Sequence, residues 1–282
     1  MREARSVKQI LKNKSALTGI ILIGILIFVA IFAEKIAPKD PYEMDIWESY
    51  RPPEGLKGEY ILGTDDMGRD VLSRILVGAR ISLLVAAVAT GVSLFFGVTL
   101  GAVAGYVGGA TDALIMRFMD LILAFPSILL AIAIVASIGP GVVNAMLAIA
   151  IVRIPAMVRV TRSMVLELKE EEFVMAGRAL GLSHARILFR HILINCYAPI
   201  LVVATLNMGT AITVEATLSF LGLGAQPPII SWGRMLALGR EAIRSAPYMT
   251  LYPGLAIVFT VLGFNFLGDG LRDISDPQLR GR

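Results

Sequence analysis

The sequence has few of the residues on which soluble enzymes rely. Its 282 residues include one cysteine and two histidines. Cys196 cannot close an internal disulfide by itself, and one thiol with His184 and His191 makes a poor metal site. The histidines read as loop and helix-surface residues. Charged residues make up 17%, against about 25% in typical soluble domains. No basic run is interleaved with aromatics in the way RNA-binding segments are, so nucleic acid is not an expected partner. There is no G-x-x-x-x-G-K-[ST] nucleotide loop, no G-x-S-x-G elbow and no H-E-x-x-H pair. Gly222 and Gly224 lack the rest of a dinucleotide fingerprint. No catalytic residue and no metal ligand set can be assigned.

What the sequence has is apolar length. Apolar residues make up 56%, and mean hydropathy is +0.74. A membrane helix needs about 20 mainly apolar residues. Ser15–Ala33 fits one span and Ile81–Thr111 a second. Leu121–Val152 is too long for one, and Gly139-Pro140-Gly141 divides it into two. Ile192–Val214 and Ala246–Gly268 make a fifth and a sixth. Glu34-Lys35 follows the first run without a small-x-small cleavage site, so that run is expected to stay as a span and not to be cleaved as a signal. The fold class expected is an all-α integral membrane protein with six transmembrane helices.

Lys and Arg in the short flanks set orientation. Arg2, Arg5, Lys8, Lys12 and Lys14 precede the first span. Arg153, Arg159, Arg162, Lys169, Arg178, Arg186 and Arg190 lie between the fourth and fifth. Arg272, Arg280 and Arg282 follow the sixth. Six spans put all three groups on one side, the cytoplasm. The expected organisation is a cytoplasmic N-terminus over 1–14, a first span over 15–37 and an external segment over 38–77. A membrane core over 78–269 follows, with a cytoplasmic loop at about 163–195, and then a cytoplasmic tail over 270–282.

Gly97, Gly101, Gly105 and Gly109 recur every fourth residue, which puts them on one helix face where a neighbour can approach closely. Pro126 and Pro155 are expected to kink the third and fourth helices. Glu215 is the one acidic residue inside an expected span. It either sits close to the outer interface and bonds a neighbouring backbone group or Arg, or adds polarity to a solute path. Arg153, near the inner end of the fourth span, is expected to reach the interface along its stem. Asp65, Asp66, Arg69 and Asp70, just ahead of the second span, either brace its entry or dock a partner outside.

The stretch from Phe173 to Leu193 is different in kind. Glu170, Glu171 and Glu172 place negative charge at a helix start. Phe173, Ala176, Gly177 and Leu180 form one apolar stripe. Gly181 suits the left-handed position that ends a helix, and Ser183 is a good N-cap for the next. Leu188 and Ile192 continue an apolar line beside Arg186 and Arg190. The product is a helix–turn–helix knob that either seats another surface against the small pair Ala176-Gly177 or lies on lipid headgroups.

This stretch resembles the "EAA" loop of permease subunits in ABC importers, which reads E-A-A-x-x-x-G, nine residues, then I-x-L-P. Met175-Ala176-Gly177, Gly181 and His191-Ile192-Leu193-Ile194 occupy those positions, with Met175 replacing the signature Glu and Ile194 the final Pro. Leu62–Val85, Glu215–Leu236 and Pro253–Arg280 resemble the dipeptide/oligopeptide/nickel branch of the family, and specifically its second, C-type permease. The resemblance implies a type I ABC importer permease fold and a subunit with no chemistry of its own and no bound cofactor. It implies a heterodimer with a homologous second permease, two cytoplasmic ATPases that use ATP and Mg²⁺, and an external solute-binding protein. It also implies that Met175, Ala176, Gly177, Arg178, Gly181, Leu182 and Ser183 couple to an ATPase. Peptides are the commonest solute of the branch; nickel chelates, glutathione and sugar oligomers are served by similar subunits. A self-sufficient secondary transporter or a membrane scaffold are the readings from other classes. The former would need coupling-ion groups and an inverted repeat.

Overall fold

The computed structural model describes residues 13–275. The expectations placed on 1–12 and 276–282, including most of the terminal basic residues, lie outside the described residues.

The first helix, α1 (Lys14–Ile36), begins where the Asn13 side chain accepts the Ala16 N–H at 2.9 Å. Small residues seat it against the last helix, α11 (Tyr248–Ser275). A Cβ at Gly270 would lie 2.5 Å from Ala16 Cα, and one at Gly19 would collide with the Leu267 backbone. The second helix, α2 (Val71–Val107), has 37 residues and is therefore about 55 Å long. It starts ten residues before the expected span because its two entry arginines are neutralised. Arg74 meets Asp65 at 3.3 Å and the Pro41 carbonyl at 2.9 Å, and Arg80 pairs with Glu34 while reaching the Ala30 and Ile31 carbonyls. The loop expected to run to residue 77 accordingly ends at Asp70, the helix N-cap.

The glycine face performs as expected over three of its four members. A Cβ at Gly97, Gly101 or Gly105 would lie 2.5 Å from Met157 Cβ, 2.6 Å from Val158 O and 2.9 Å from Arg162 O. These are atoms of α5 (Val142–Leu168), so the α2–α5 contact is backbone-close along three turns. Gly109 does not join that face. The helix ends at Val107, and Gly108 and Gly109 take φ of 71° and 57°, which only glycine enters freely.

The third span is not the single helix from Leu121 that the apolar run suggests. It is a pair, α3 (Gly109–Leu123) and α4 (Ser127–Ile138), bent by 88°. The break falls at Pro126, which has no N–H to donate and disfavours helix at Phe125. Pro155, by contrast, sits inside a continuous α5. Since α5 extends to Leu168, Arg153 lies near its middle and not near the end of a span closing at Val152.

Then follow α6 (Glu172–Ala179), α7 (His184–Arg186), a π-helical turn (Ile187–Ile192), α8 (Leu193–Asn195), α9 (Tyr197–Phe220) and α10 (Trp232–Glu241). The last helix reaches Ser275, into the stretch expected as a tail. No strand occurs among the described residues. Five helices are long and apolar enough to cross a membrane, and the bent α3–α4 pair makes six if it counts as one span. The central core gathers Val85, Val135, Ile149 and Ile212 from α2, α4, α5 and α9.

Candidate functional site

Two regions at opposite ends of α2 carry the expected site residues. At its C-terminal end stands the hairpin of α6 and α7. Val174 and Gly177 face inward onto Ile187, Leu188 and Ile192, all buried. A Cβ at Gly177 would meet Leu182 Cδ1 at 3.4 Å, so Gly177 packs the hairpin against itself and does not lie on the open face. Phe173, Met175, Ala176 and Leu180 do lie there; Leu180 is 81% exposed. The stripe read from the sequence is thus split. Its exposed part is a helix-spaced apolar surface, and its glycine belongs to the hairpin's interior.

The turn is built as its residues dictate. Leu180 N–H bonds the Ala176 carbonyl at 3.0 Å, Leu182 N–H bonds the Gly177 carbonyl at 3.1 Å, and Gly181 between them has φ 74°. The Ser183 hydroxyl accepts the Arg186 N–H at 3.4 Å. Arg178 and Ser183 are exposed, and Arg178 lies 6.0 Å over the Tyr106 ring. Tyr106 Oη and His184 Nδ1 are 2.8 Å apart, joining the hairpin to the last turn of α2. Two residues 78 positions apart form that tie, and no local pattern announces it. Arg162 makes paired bonds of 2.5 and 2.6 Å to Asp112, and Arg159 meets Asp120 at 2.8 Å, so α5 also holds α3.

The other end of α2 carries a cap made of residues 37–70 and 221–247. Asp65 Oδ2 accepts Arg69 Nε at 2.7 Å and lies 3.3 Å from Arg74 Nε; its Oδ1 accepts the Met67 and Arg69 N–H groups at 2.9 and 3.0 Å. Asp66 meets Arg69 at 3.1 Å. Asp70 Oδ2 accepts the Ser73 N–H at 2.8 Å and starts α2. Asp65, Arg69, Asp70 and Arg74 are buried; only Asp66 of the group is partly open. Tyr248 Oη lies 2.9 and 3.0 Å from the carbonyls of Arg51 and Thr64, and Trp232 Nε1 donates to the Ile75 carbonyl at 2.9 Å. The Tyr248 bonds fasten the 37–70 segment to α11, and the Trp232 bond fastens the 221–247 segment to α2.

Glu215 is 1% exposed. Ser219 donates to it at 2.8 Å, and Ser82 of α2 lies at 3.4 Å. Ser82 in turn lies 3.5 Å from the Trp232 N–H. Glu215 therefore sits where α2, α9 and the start of α10 converge, among hydroxyls and not arginines.

Residues 97–281 match the family model for the binding-protein-dependent transport system inner membrane component. Residues 4–53 match the N-terminal TM domain of oligopeptide transport permease C. The chain is 51% identical over 273 residues to a dipeptide transport system permease protein of Alkalihalophilus pseudofirmus, covering 97% of this chain and 89% of the relative. It is 46% identical to a di/tripeptide transport system permease protein of Pseudomonas aeruginosa, covering 95% and 89%. It is 44% identical to a glutathione transport system permease protein of Escherichia coli O6:K15:H31, covering 96% and 88%. In fold it is similar to a chain of the inward-facing MetNI methionine ABC transporter, with a TM-score of 0.58 at 16% identity over 72% of this chain and 96% of that one. The chain belongs to the family of inner-membrane components of binding-protein-dependent transport systems, as a multi-pass transport subunit and not an enzyme.

Proposed function

We propose that the chain is the C-type permease subunit of an ATP-driven importer of di- or oligopeptides. It forms half of a pore with a homologous second permease. Two ATPases bind on the hairpin side, and a solute-binding protein delivers solute on the cap side. Both termini are then cytoplasmic, as the basic flanks require. The chain itself binds no nucleotide; ATP and Mg²⁺ act in the ATPases.

One observation carries this reading: the open face of the hairpin. Phe173, Ala176 and Leu180 expose apolar surface at helical spacing, with Met175 exposed on the flank, on a knob whose inner side is packed by Val174, Ile187, Leu188 and Ile192. Ala176 gives that face a low point where another backbone can approach. Such a knob suits a groove in an ATPase subunit. Arg178, Gly181, Leu182 and Ser183 shape its turn and shoulder. When the ATPases close on ATP, the knob is displaced, and a knob tied to α2 through Tyr106 and continuous with α5 and α9 passes the displacement to the pore helices. Arg162–Asp112 and Arg159–Asp120 bring α3 along with α5. At the other end we assign bracing, not solute contact, to Asp65, Asp66, Arg69, Asp70 and Glu215.

The test is uptake. Deleting the gene should abolish uptake of a labelled dipeptide, and the intact gene should restore it. Labelled nickel run in parallel should be unaffected. Loss of nickel uptake alone would move the proposal to a nickel importer. Dipeptide uptake that persists in a strain deleted for every other peptide importer would end the peptide assignment.

A further inference from the structure

The cap presents one feature that neither the fold nor the hairpin uses. Between α1 and α2, the short 3₁₀ turn Ile46–Glu48 holds up an apolar prong. Trp47 is 97% exposed and Ile46 79%, with Met44 beside them at 59%. A fully exposed tryptophan is uncommon, since the ring has more apolar surface to hide than almost any other side chain.

The prong is rigid for reasons that lie in the buried ion network. Asp45 N–H bonds the Met67 carbonyl at 3.1 Å, the Ser49 hydroxyl bonds the Asp66 carbonyl at 2.7 Å, and Tyr50 N–H bonds the Asp65 carbonyl at 3.0 Å. The Asp45 carboxylate accepts the Trp47 N–H at 3.1 Å. Three of its anchors are thus backbone carbonyls of the turn that Asp65, Arg69 and Asp66 lock, and the Thr64 hydroxyl adds another by donating to the Glu48 carbonyl. Gly68 completes the fit, because a Cβ there would strike the Asp45 carbonyl. The network does not itself form the surface; it holds Trp47 out.

The chemistry around the prong selects its occupant. Glu43, Asp45 and Glu48 flank and separate Met44 and the Ile46-Trp47 pair. Beside them opens a recess of about 160 Å³ lined by Lys39, Asp40, Glu43, Asp45, Glu59 and Asp70. A lipid surface would have to desolvate these carboxylates to take in the apolar residues between them. A permanent subunit interface is charge-depleted at its centre. An aromatic anchor inside a charged rim is instead the anatomy of a contact that forms and breaks. The family to which the chain belongs depends on a binding protein. We propose that the Met44–Trp47 prong is where the solute-binding protein docks, with Trp47 entering an apolar recess on that protein whose rim carries Lys or Arg.

This inference rests on the importer reading and is tested apart from it. The whole transporter is placed in lipid nanodiscs, and its separately purified solute-binding protein is titrated onto it. Trp47→Ala should weaken binding about thirtyfold, as loss of a central aromatic anchor does. Glu43→Lys should slow association and flatten its dependence on salt. Gly68→Ala, which displaces the prong without touching its side chains, should weaken binding as well. Subunit composition and basal ATP hydrolysis should stay normal in Trp47→Ala. Unchanged binding in Trp47→Ala would overturn the docking site while leaving the importer reading intact. Loss of the second permease from the complex would show a subunit contact instead. Quenching of Trp47 fluorescence by brominated lipid, scored against Trp47→Phe, would show a membrane anchor. Either result overturns the proposal.

Discussion

The hairpin and the cap stand about 55 Å apart along one helix and are held together by opposite means. Inside the hairpin the contacts are apolar: Val174, Ile187, Leu188 and Ile192 pack around a glycine. Inside the cap's 37–70 segment they are ionic and hydrogen-bonded: one carboxylate, Asp65, organises two guanidinium groups and two backbone N–H groups, while Trp232 and Met235 pack the 221–247 segment beside it. The apolar assembly is indifferent to small rotations, because dispersion contacts have no strict direction. The ionic one is not, because a buried charge that loses its partner is costly. An end that must move while keeping its shape suits the first construction. An end that must hold a surface at a fixed place suits the second.

The sharpest way to break this contrast is to remove Asp65. Asp65→Ala leaves Arg69 and Arg74 buried without their shared acceptor, which costs about 3–5 kcal/mol. The purified transporter should unfold at a markedly lower temperature, and the subunit should be depleted from the membrane. A melting curve like that of the parent would show that the cap is not held by its ions.

At the hairpin the corresponding change is Gly181→Val. A β-branched residue at φ 74° is strained by about 1–3 kcal/mol. The turn is exposed, so the strain should alter its shape and leave the membrane fold standing. ATP hydrolysis should continue without dipeptide uptake, at normal subunit abundance. Uptake at the parental rate would remove the hairpin from the coupling path.

These two glycine and aspartate positions also mark how much could be read from the sequence. Gly181 was legible because helix termination by a left-handed glycine is a local rule, and the Ser183 cap is equally local. Gly97, Gly101 and Gly105 were legible because their spacing is the helix period. Other features were not, because each depends on a partner distant in the chain. Arg74 and Arg80 argue in the sequence against a membrane helix, and the groups that neutralise them, Asp65, Glu34 and the α1 carbonyls, are distant in the chain, so α2 starts ten residues before the expected span. The same effect hid the length of α5 beyond Val152, where Arg159 and Arg162 find Asp120 and Asp112. The 88° bend at Pro126 exceeds the kink that a proline alone announces. The prong at Trp47 leaves one signal in the sequence, a tryptophan among carboxylates outside every apolar run.

A gentler change sharpens the comparison. Gly177 stands where the importer loop motif has alanine, yet the hairpin buries it. A methyl group there would touch Leu182 Cδ1 at 3.4 Å, an ordinary contact. Gly177→Ala should therefore raise stability by up to about 1 kcal/mol through helix propensity and leave uptake unchanged. Loss of uptake would mean that the partner, and not the hairpin, needs the space.

The smallest effect belongs to the cap's outer rim, where the charges face water. Lys39 meets Glu59 at 2.6 Å and holds its carboxyl below the usual range. The N–H groups of Tyr60 and Glu59 do the same for Glu54. Both groups bind protons less readily folded than unfolded. Their contribution is therefore present above the ordinary glutamate value of about 4.3 and fades as pH falls through the lower folded values. Amide exchange at residues 54–60 should accelerate on going from pH 7 to pH 3.5, after correction for intrinsic rates. Glu59→Gln should remove part of the response at 54–60 and nothing at the hairpin. Equal acceleration in the parent and the variant would mean that the rim charges are solvated singly, and that the cap's order resides wholly in the buried network beneath them.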